Sequence, residues 1–153
     1  DIDQKCQVWS EVFGLPKPEP ITTATADLTH IQYKGRTTEA RARLAFFEME
    51  NVTIELIEPI GGPSTWKAFL DRHGEGVHHI AFKIKGTDQV VAFLEGKHCK
   101  LEQSGDFVGG KYAYVDATKP LGVILELLEI DEKPKKDKPG KSNSANKAVT
   151  VDE

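Results

Sequence analysis

The chain has 153 residues and a mass of 16.9 kDa, with 39% hydrophobic and 29% charged residues, which is typical of one globular domain. Twenty Lys and Arg residues against 24 Asp and Glu residues give a formal net charge of −4, which argues against a nucleic-acid-binding protein because phosphate contacts need a basic surface. The longest nearly apolar run, residues 123–128, is too short to span a membrane, and two cysteines without a CxxC motif predict reduced thiols in a cytoplasmic protein.

The first half of the chain predicts one helix followed by several strands. The helix begins near Ile2 and ends at Gly14, because glycine commonly ends helices. Its apolar side chains have the spacing of one helical face: Val8, Trp9, Val12 and Phe13. Residues 22–40 have no counterpart later in the chain and include an extra strand and turn at residues 29–35. Residues 43–58 then predict two short strands around a polar turn.

A short helix lies between the two halves of the chain. Residues 61–63 predict a turn, Ser64 is placed to cap the helix, and Gly74 is placed to end it. Three large apolar residues share one face of this helix: Trp66, Phe69 and Leu70. We interpret Trp66 and Phe69 as part of the core rather than as a ligand-binding surface.

The second half predicts a strand, a helix and further strands. The strand covers residues 77–84, and the helix is capped by Thr87 or Asp88 and ended by Gly96. Residues 105–110 predict a flexible loop. Two strands around a longer turn follow, and they end near residue 129.

An internal repeat organises these elements. Residues 54–58 read Ile-Glu-Leu-Ile-Glu and residues 125–129 read Leu-Glu-Leu-Leu-Glu. In each half this sequence lies in the last strand of a series that follows a helix. Only the second half has a strand before its helix. The repeat therefore predicts a βαβββ module preceded by an incomplete αβββ module, with a strand of about six to ten residues expected upstream of Asp1.

The end of the chain has a different composition. Residues 131–153 are rich in Lys and are interrupted by Pro and Gly, so they cannot bury enough apolar surface to offset the entropy of ordering. The predicted organisation is a first module at residues 1–60, a connecting helix at 61–76, a second module at 77–130 and a charged flexible tail at 131–153.

Three side chains of the repeat are candidates for a site. Glu55 and Glu126 occupy matched positions inside apolar strands, where a carboxylate is costly unless it faces water or a cation. His79 is the third candidate; it follows His78 in the strand predicted at residues 77–84, and alternation predicts that the two histidines face opposite sides of the sheet. A set of one His and two Glu donors suits a divalent ion such as Zn, Ni, Co, Mn or Fe.

The chain resembles the vicinal oxygen chelate superfamily, which includes glyoxalase I, methylmalonyl-CoA epimerase, extradiol dioxygenases and bleomycin-resistance proteins. Four segments carry the resemblance, most of all to the methylmalonyl-CoA epimerase-like branch: residues 54–59, 64–70, 74–82 and 122–127. The resemblance implies an α+β fold of paired βαβββ modules, whose curled mixed sheets surround a metal site.

Carried over residue by residue, the resemblance implies that the metal ligands are Glu55, His79 and Glu126. The family's remaining ligand is a His on the opening strand, and His30 is not an obvious substitute because it follows the first helix. Epimerases of this branch also use a Glu on the first hairpin as a base, and residues 41–46 contain no matching carboxylate.

The resemblance implies a lyase or isomerase that abstracts a proton next to a carbonyl group, as epimerases and glyoxalase I do. Glu126 is the first candidate for the catalytic base and Glu55 the second. The implied partners are a small-molecule substrate, either a CoA thioester or a thiol adduct, and a second copy of the chain in a homodimer. The alternatives are an Fe(II) extradiol dioxygenase, which needs a His on the missing strand and no ligation by Glu55, and a non-catalytic binding protein of the bleomycin-resistance type.

Overall fold

A computed structural model describes residues 1–132 of the chain. The predicted tail lies outside the described residues from residue 133 onward. The helices are α1 (Ile2–Phe13), α2 (Ala26–Thr29), α3 (Thr65–His73), α4 (Thr87–Glu95) and α5 (Thr118–Leu121). The strands are β1 (Ile21–Thr22), β2 (Gln32–Tyr33), β3 (Arg36–Thr37), β4 (Ala40–Glu48), β5 (Thr53–Gly61), β6 (His79–Ile84), β7 (Lys100–Phe107), β8 (Gly110–Ala117) and β9 (Val123–Ile130). No helix in the described part is both long and apolar enough to cross a membrane.

The strands form two sheets. One sheet has the order β1-β4-β5 and the other has the order β3-β2-β7-β8-β9-β6. β6 runs parallel to β9, whereas the other paired strands are antiparallel. The second half is therefore a βαβββ unit with β6 beside β9, and α1, β1, β4 and β5 repeat the helix and three strands of that unit in the first half. This arrangement confirms the predicted α+β class with curled, open sheets.

The segment between β1 and β4 connects the two halves. The prediction of an extra strand and turn at residues 29–35 is confirmed in part, because Thr29 ends α2 and the strand is limited to β2. β2 and β3 form a hairpin that adds to the free edge of β7, with Gln32 opposite Ser104. The first half thus contributes two strands to the sheet of the second half. This pairing links the two halves of the chain through backbone hydrogen bonds.

Helix α1 buries a different face from the predicted one. Asp1 caps its start, and Gly14 ends it in the left-handed conformation at φ 65°. The buried side chains are Ile2 and Cys6, which pack against the outer face of the first sheet, whereas Val12 is 70% exposed. The apolar spacing predicts the helix correctly, but the first sheet packs against the face that carries Ile2 and Cys6.

The start of α4 is capped from another element. The prediction of a cap by Thr87 or Asp88 is wrong, because Gly86 is the N-cap and it has no side chain to offer. The carboxylate of Glu129 on β9 instead accepts hydrogen bonds from the N–H groups of Gly86 and Thr87 and from the Thr87 hydroxyl. These bonds, the hydroxyl's first, lower the pKa of Glu129 to about 2. The second Glu of the repeated sequence is therefore structural in this half.

The predicted loop at residues 105–110 is also different in the structure. β7 continues to Phe107 and β8 begins at Gly110, so only Val108 and Gly109 form the turn. Gly105 lies inside β7. A larger residue does not fit there, because a Cβ would lie 2.8 Å from the Tyr112 hydroxyl oxygen. Gly110 is likewise required by a close approach, since a Cβ there would collide with the Glu129 carbonyl oxygen, and Gly109 by its positive φ of 92°.

The core between the sheets contains a cluster of buried side chains from both halves. Its members include Ala42 of β4, Trp66 of α3 and Tyr114 of β8. Trp66 and Tyr114 meet edge to face, with ring centroids 5.9 Å apart. The prediction that Trp66 belongs to the core is confirmed, since only 7% of it is exposed. Helix α4 covers a second cluster on the far side of β8 and β9.

Candidate metal centre

Three strands present the predicted site residues to the space between the sheets. Glu55 lies on β5 opposite Phe46, and Glu126 lies on β9 between Tyr114 of β8 and Ala81 of β6. His79 is the first residue of β6, two positions before Ala81 and on the same face. Strand alternation therefore directs all three side chains inward, while the Leu neighbours of both glutamates face outward.

The three side chains converge on one point. The distance from His79 Nε2 to Glu126 Oε2 is 3.1 Å, and the distance to Glu55 Oε2 is 3.6 Å. One ligand atom from each residue lies within 4.8 Å of the others. The exposed fractions of these side chains are 10% for His79, 19% for Glu55 and 7% for Glu126. Residues far apart in the chain thus form a compact and nearly buried cluster.

The electrostatics of the cluster are unfavourable without a cation. Burial raises the pKa of Glu55 to about 7, and repulsion by the Glu126 carboxylate adds to this rise, whereas His79 opposes it. Two carboxylates held this close cannot both ionise at low cost in a desolvated site. A divalent cation would compensate both charges.

The donor set fits such a cation. One imidazole nitrogen and two carboxylate oxygens are ligands that zinc and similar divalent metals accept. Three protein ligands also leave coordination positions open, as in catalytic rather than structural metal sites. The residues present are therefore suited to hold a metal that has access to a small molecule.

Aromatic side chains form one wall of the cluster. The Tyr114 ring lies 5.2 Å from the His79 ring, and Tyr112 lies beside Tyr114 at 5.5 Å. Burial raises the pKa of both phenols, so both remain protonated at neutral pH. Gln103 on β7 is also buried there, and its side-chain oxygen accepts a hydrogen bond from the backbone N–H of Thr65.

Sequence reasoning did not identify this wall. Tyr112 and Tyr114 are two positions apart on β8 and therefore share one face, and Tyr114 lies directly opposite Glu126 on β9. A prediction of the β8–β9 register would have placed both rings beside the cluster. The prediction that His78 and His79 face opposite sides is wrong. β6 begins at His79, so His78 lies before the strand, and strand alternation does not apply to it.

Two further expectations concern residues outside the cluster. His30 lies away from the site, where its Nδ1 is 2.8 Å from Asp106 Oδ2 and both side chains are largely exposed. On β4 the single carboxylate is Glu48, which is exposed at the end of the strand and accepts a hydrogen bond from the Thr53 hydroxyl. β4 thus offers no buried carboxylate beside Glu55.

The raised pKa of Glu55 makes a prediction for the metal-free protein. Ionising Glu55 costs more in the folded than in the unfolded chain, so stability falls as the pH rises from about 4.5 to about 7 and stays lower above it. The full penalty is about 3 kcal/mol. With a chelator present, Glu55→Gln is expected to raise the melting temperature at about pH 8 and to change it little at about pH 4.

The matched control for this measurement is Glu58→Gln, because Glu58 lies on the opposite face of β5 and pairs with Arg43. Equal changes in melting temperature at both pH values for Glu55→Gln would contradict the prediction.

Comparisons with known proteins agree with this architecture. A family model described as the glyoxalase/bleomycin resistance protein/dioxygenase superfamily matches residues 1–115. The uncharacterized protein YqjC of Bacillus subtilis is 33% identical over 96 residues, which are 60% of this chain and 67% of that protein. The mitochondrial methylmalonyl-CoA epimerase of Dictyostelium discoideum is 22% identical over 134 residues, which are 87% of this chain and 72% of that protein.

A similar solved structure is a variant of the Streptomyces coelicolor methylmalonyl-CoA epimerase in complex with 2-nitronate-propionyl-CoA. It superposes with a TM-score of 0.56 at 20% identity, covering 88% of this chain and 91% of that one. At this identity the likeness establishes the shared fold.

Proposed function

Because the chain belongs to the glyoxalase/bleomycin resistance protein/dioxygenase superfamily, we propose that it is a metal-dependent lyase or isomerase that abstracts a proton next to a carbonyl group. The observation that carries the proposal is the convergence of Glu55, His79 and Glu126 in one nearly buried cluster between the sheets. Buried carboxylates without a cationic partner are costly, so the presence of one at the matched position of each half of the chain favours a functional role.

Glu55, His79 and Glu126 are the residues that would hold the metal. When bound, a divalent cation supplies Lewis-acid stabilisation of the negative charge that develops on a carbonyl oxygen. Tyr114, only 2% exposed, packs against the His79 ring on one side of the cluster, and Tyr112 packs against Tyr114. Charge stabilisation in such a site is stronger than in water.

The two carboxylates are the candidate bases. A base takes the α-proton, and the electrons of the broken C–H bond move toward the carbonyl. In an epimerase a second acid, such as the other carboxyl group, delivers a proton to the opposite face of the same carbon, and in a glyoxalase a proton is delivered to the neighbouring carbon. The larger exposed fraction of Glu55, 19% against 7% for Glu126, favours Glu55 for contact with substrate and reverses the order expected from the sequence.

The proposed substrate class is a CoA thioester, with a thiol adduct as the second choice. The Dictyostelium relative is named for a CoA thioester, and the Streptomyces structure contains a CoA compound. We also propose that the protein is a cytoplasmic homodimer. Ile80 and Phe82, each 51% exposed on the edge strand β6, support a covered surface there.

The test is to prepare the protein with chelator and then to load it separately with Zn, Ni, Co, Mn or Fe. We expect metal-dependent solvent-hydrogen exchange at the α-carbon of methylmalonyl-CoA, or metal-dependent conversion of the hemithioacetal of methylglyoxal and glutathione. Oxygen consumption with Fe(II) and a catechol would instead indicate a dioxygenase. A metal-free protein whose Glu55→Ala and Glu126→Ala variants still bind ligand would indicate a binding protein and contradict the proposal.

A further inference from the structure

His78 contacts the candidate ligand His79 through ring nitrogens. The two Nδ1 atoms are 3.1 Å apart, and the ring planes are inclined at 81°. The His78 ring is held in place by Phe69 and Tyr114, whose ring centroids each lie 5.3 Å from it in edge-to-face contacts. The nitrogen contact is therefore a feature of packed side chains rather than of a free rotamer.

A hydrogen bond between two imidazole nitrogens uses one proton, and the position of that proton fixes both tautomers. If His79 Nδ1 is the donor, His79 Nε2 carries a lone pair directed at Glu55 and Glu126. If His78 Nδ1 is the donor, His79 Nε2 carries a hydrogen in that direction and cannot bind a cation. The contact between the two histidines thus selects whether His79 is able to act as a ligand.

In the metal-free site Glu126 Oε2, 3.1 Å from His79 Nε2, favours a hydrogen on that nitrogen, whereas a bound cation needs its lone pair. His78 Nε2 is buried and makes no hydrogen bond with any described residue. Burial lowers the pKa of His78, and the Thr65 backbone, which acts on this side chain as a hydrogen-bond partner besides the contact with His79, raises it by a smaller amount.

We propose that His78 is a positioning residue that accepts a hydrogen bond from His79 Nδ1 and so directs the lone pair of His79 Nε2 toward a bound metal. This inference rests on the proposed metal site and goes beyond it, because it assigns a role to a residue outside the ligand set. Partners of this kind hold a ligating His in one tautomer and one orientation.

The test compares Zn²⁺ affinities of full-length variants by competition with a chromogenic chelator. His78→Phe keeps a ring of similar shape but removes the acceptor, and we expect it to weaken Zn²⁺ binding about 10- to 100-fold. His78→Asn places an oxygen near the position of Nδ1 and is expected to restore most of the affinity. His73→Phe is the matched control, because the exposed His73 lies against the same Phe69 ring and is expected to leave the affinity unchanged.

A second measurement reads the tautomer directly. In ¹⁵N-histidine NMR spectra of the Zn²⁺-loaded protein, we expect His79 to carry its hydrogen on Nδ1 and to show a metal-shifted Nε2. Wild-type affinity in a folded His78→Phe variant would overturn the inference while leaving the metal site standing, as would a metal-bound His79 Nδ1. A wild-type protein that binds no Zn²⁺ would overturn the metal site and the role of His78 together.

Discussion

Glu126→Leu is expected to reduce the affinity for divalent metal on the order of 100-fold or more, while the metal-free protein unfolds at the same or a higher denaturant concentration. Leu has a similar volume but no donor atom, so one of the three ligand atoms is lost. The carboxylate it replaces is 7% exposed and is repelled by Glu55, so its removal relieves an unfavourable charge pair. Chelator competition measures the first effect, and urea denaturation in the presence of chelator measures the second.

The control for this variant is Glu58→Leu, which changes a glutamate of the same repeated sequence on the outer face of β5. Glu58 pairs with Arg43 at 3.0 Å near the surface, and a surface ion pair contributes little. Glu58→Leu is therefore expected to leave metal binding unaffected. If Glu126→Leu bound metal as tightly as the unaltered protein, Glu126 would not be a ligand.

Trp66→Ala is expected to lower the free energy of unfolding by about 3–5 kcal/mol. Its side chain is 7% exposed and fills the space between the sheets against Tyr114, so truncation leaves a cavity lined by both halves of the chain. Because Tyr114 is the wall beside His79, the same variant is expected to weaken metal binding. Urea denaturation measures the first effect, and chelator competition on the folded fraction measures the second.

Trp9→Ala is the matched control for the loss of an indole. Trp9 is half-buried on α1, where it stacks on Phe13 at 5.2 Å and lies 6.3 Å from Phe47 on the outer face of the first sheet, away from the ligand cluster. A smaller loss of stability and unchanged metal affinity are expected. Equal losses for the two variants would show that Trp66 does not link the sheets.

The repeat made much of this fold predictable. The similar sequences around Glu55 and Glu126 identify two equivalent strands. Strand alternation places each carboxylate on the face of its strand opposite to its apolar neighbours. The helices at α1, α3 and α4 follow from apolar spacing and from the glycines that end them. The boundaries between the modules stay predictions, as do the metal-binding and catalytic roles of the cluster.

Tertiary contacts overrode the local patterns at several positions. Thr87 is a good capping residue, yet Glu129 from another strand accepts the hydrogen bonds that begin α4. The apolar face of α1 was predicted around Val12, but the face that packs is the one that meets the first sheet, around Cys6. Local sequence gives the period of an element, whereas the partner surface decides which side of it is buried.

The sequence by itself determined that Glu55 and Glu126 lie at matched positions on one face of equivalent strands, because strand alternation acts within a few residues, whereas the ligand role of His79 came from the family resemblance. Only the tertiary structure decided that His79 Nε2 lies 3.1 Å from one carboxylate and 3.6 Å from the other, and that His78 contacts His79. Those distances depend on how the two sheets pack and on where β6 begins. Sheet packing involves contacts between distant parts of the chain, among them the contact of Trp66 with Tyr114, which no local pattern encodes.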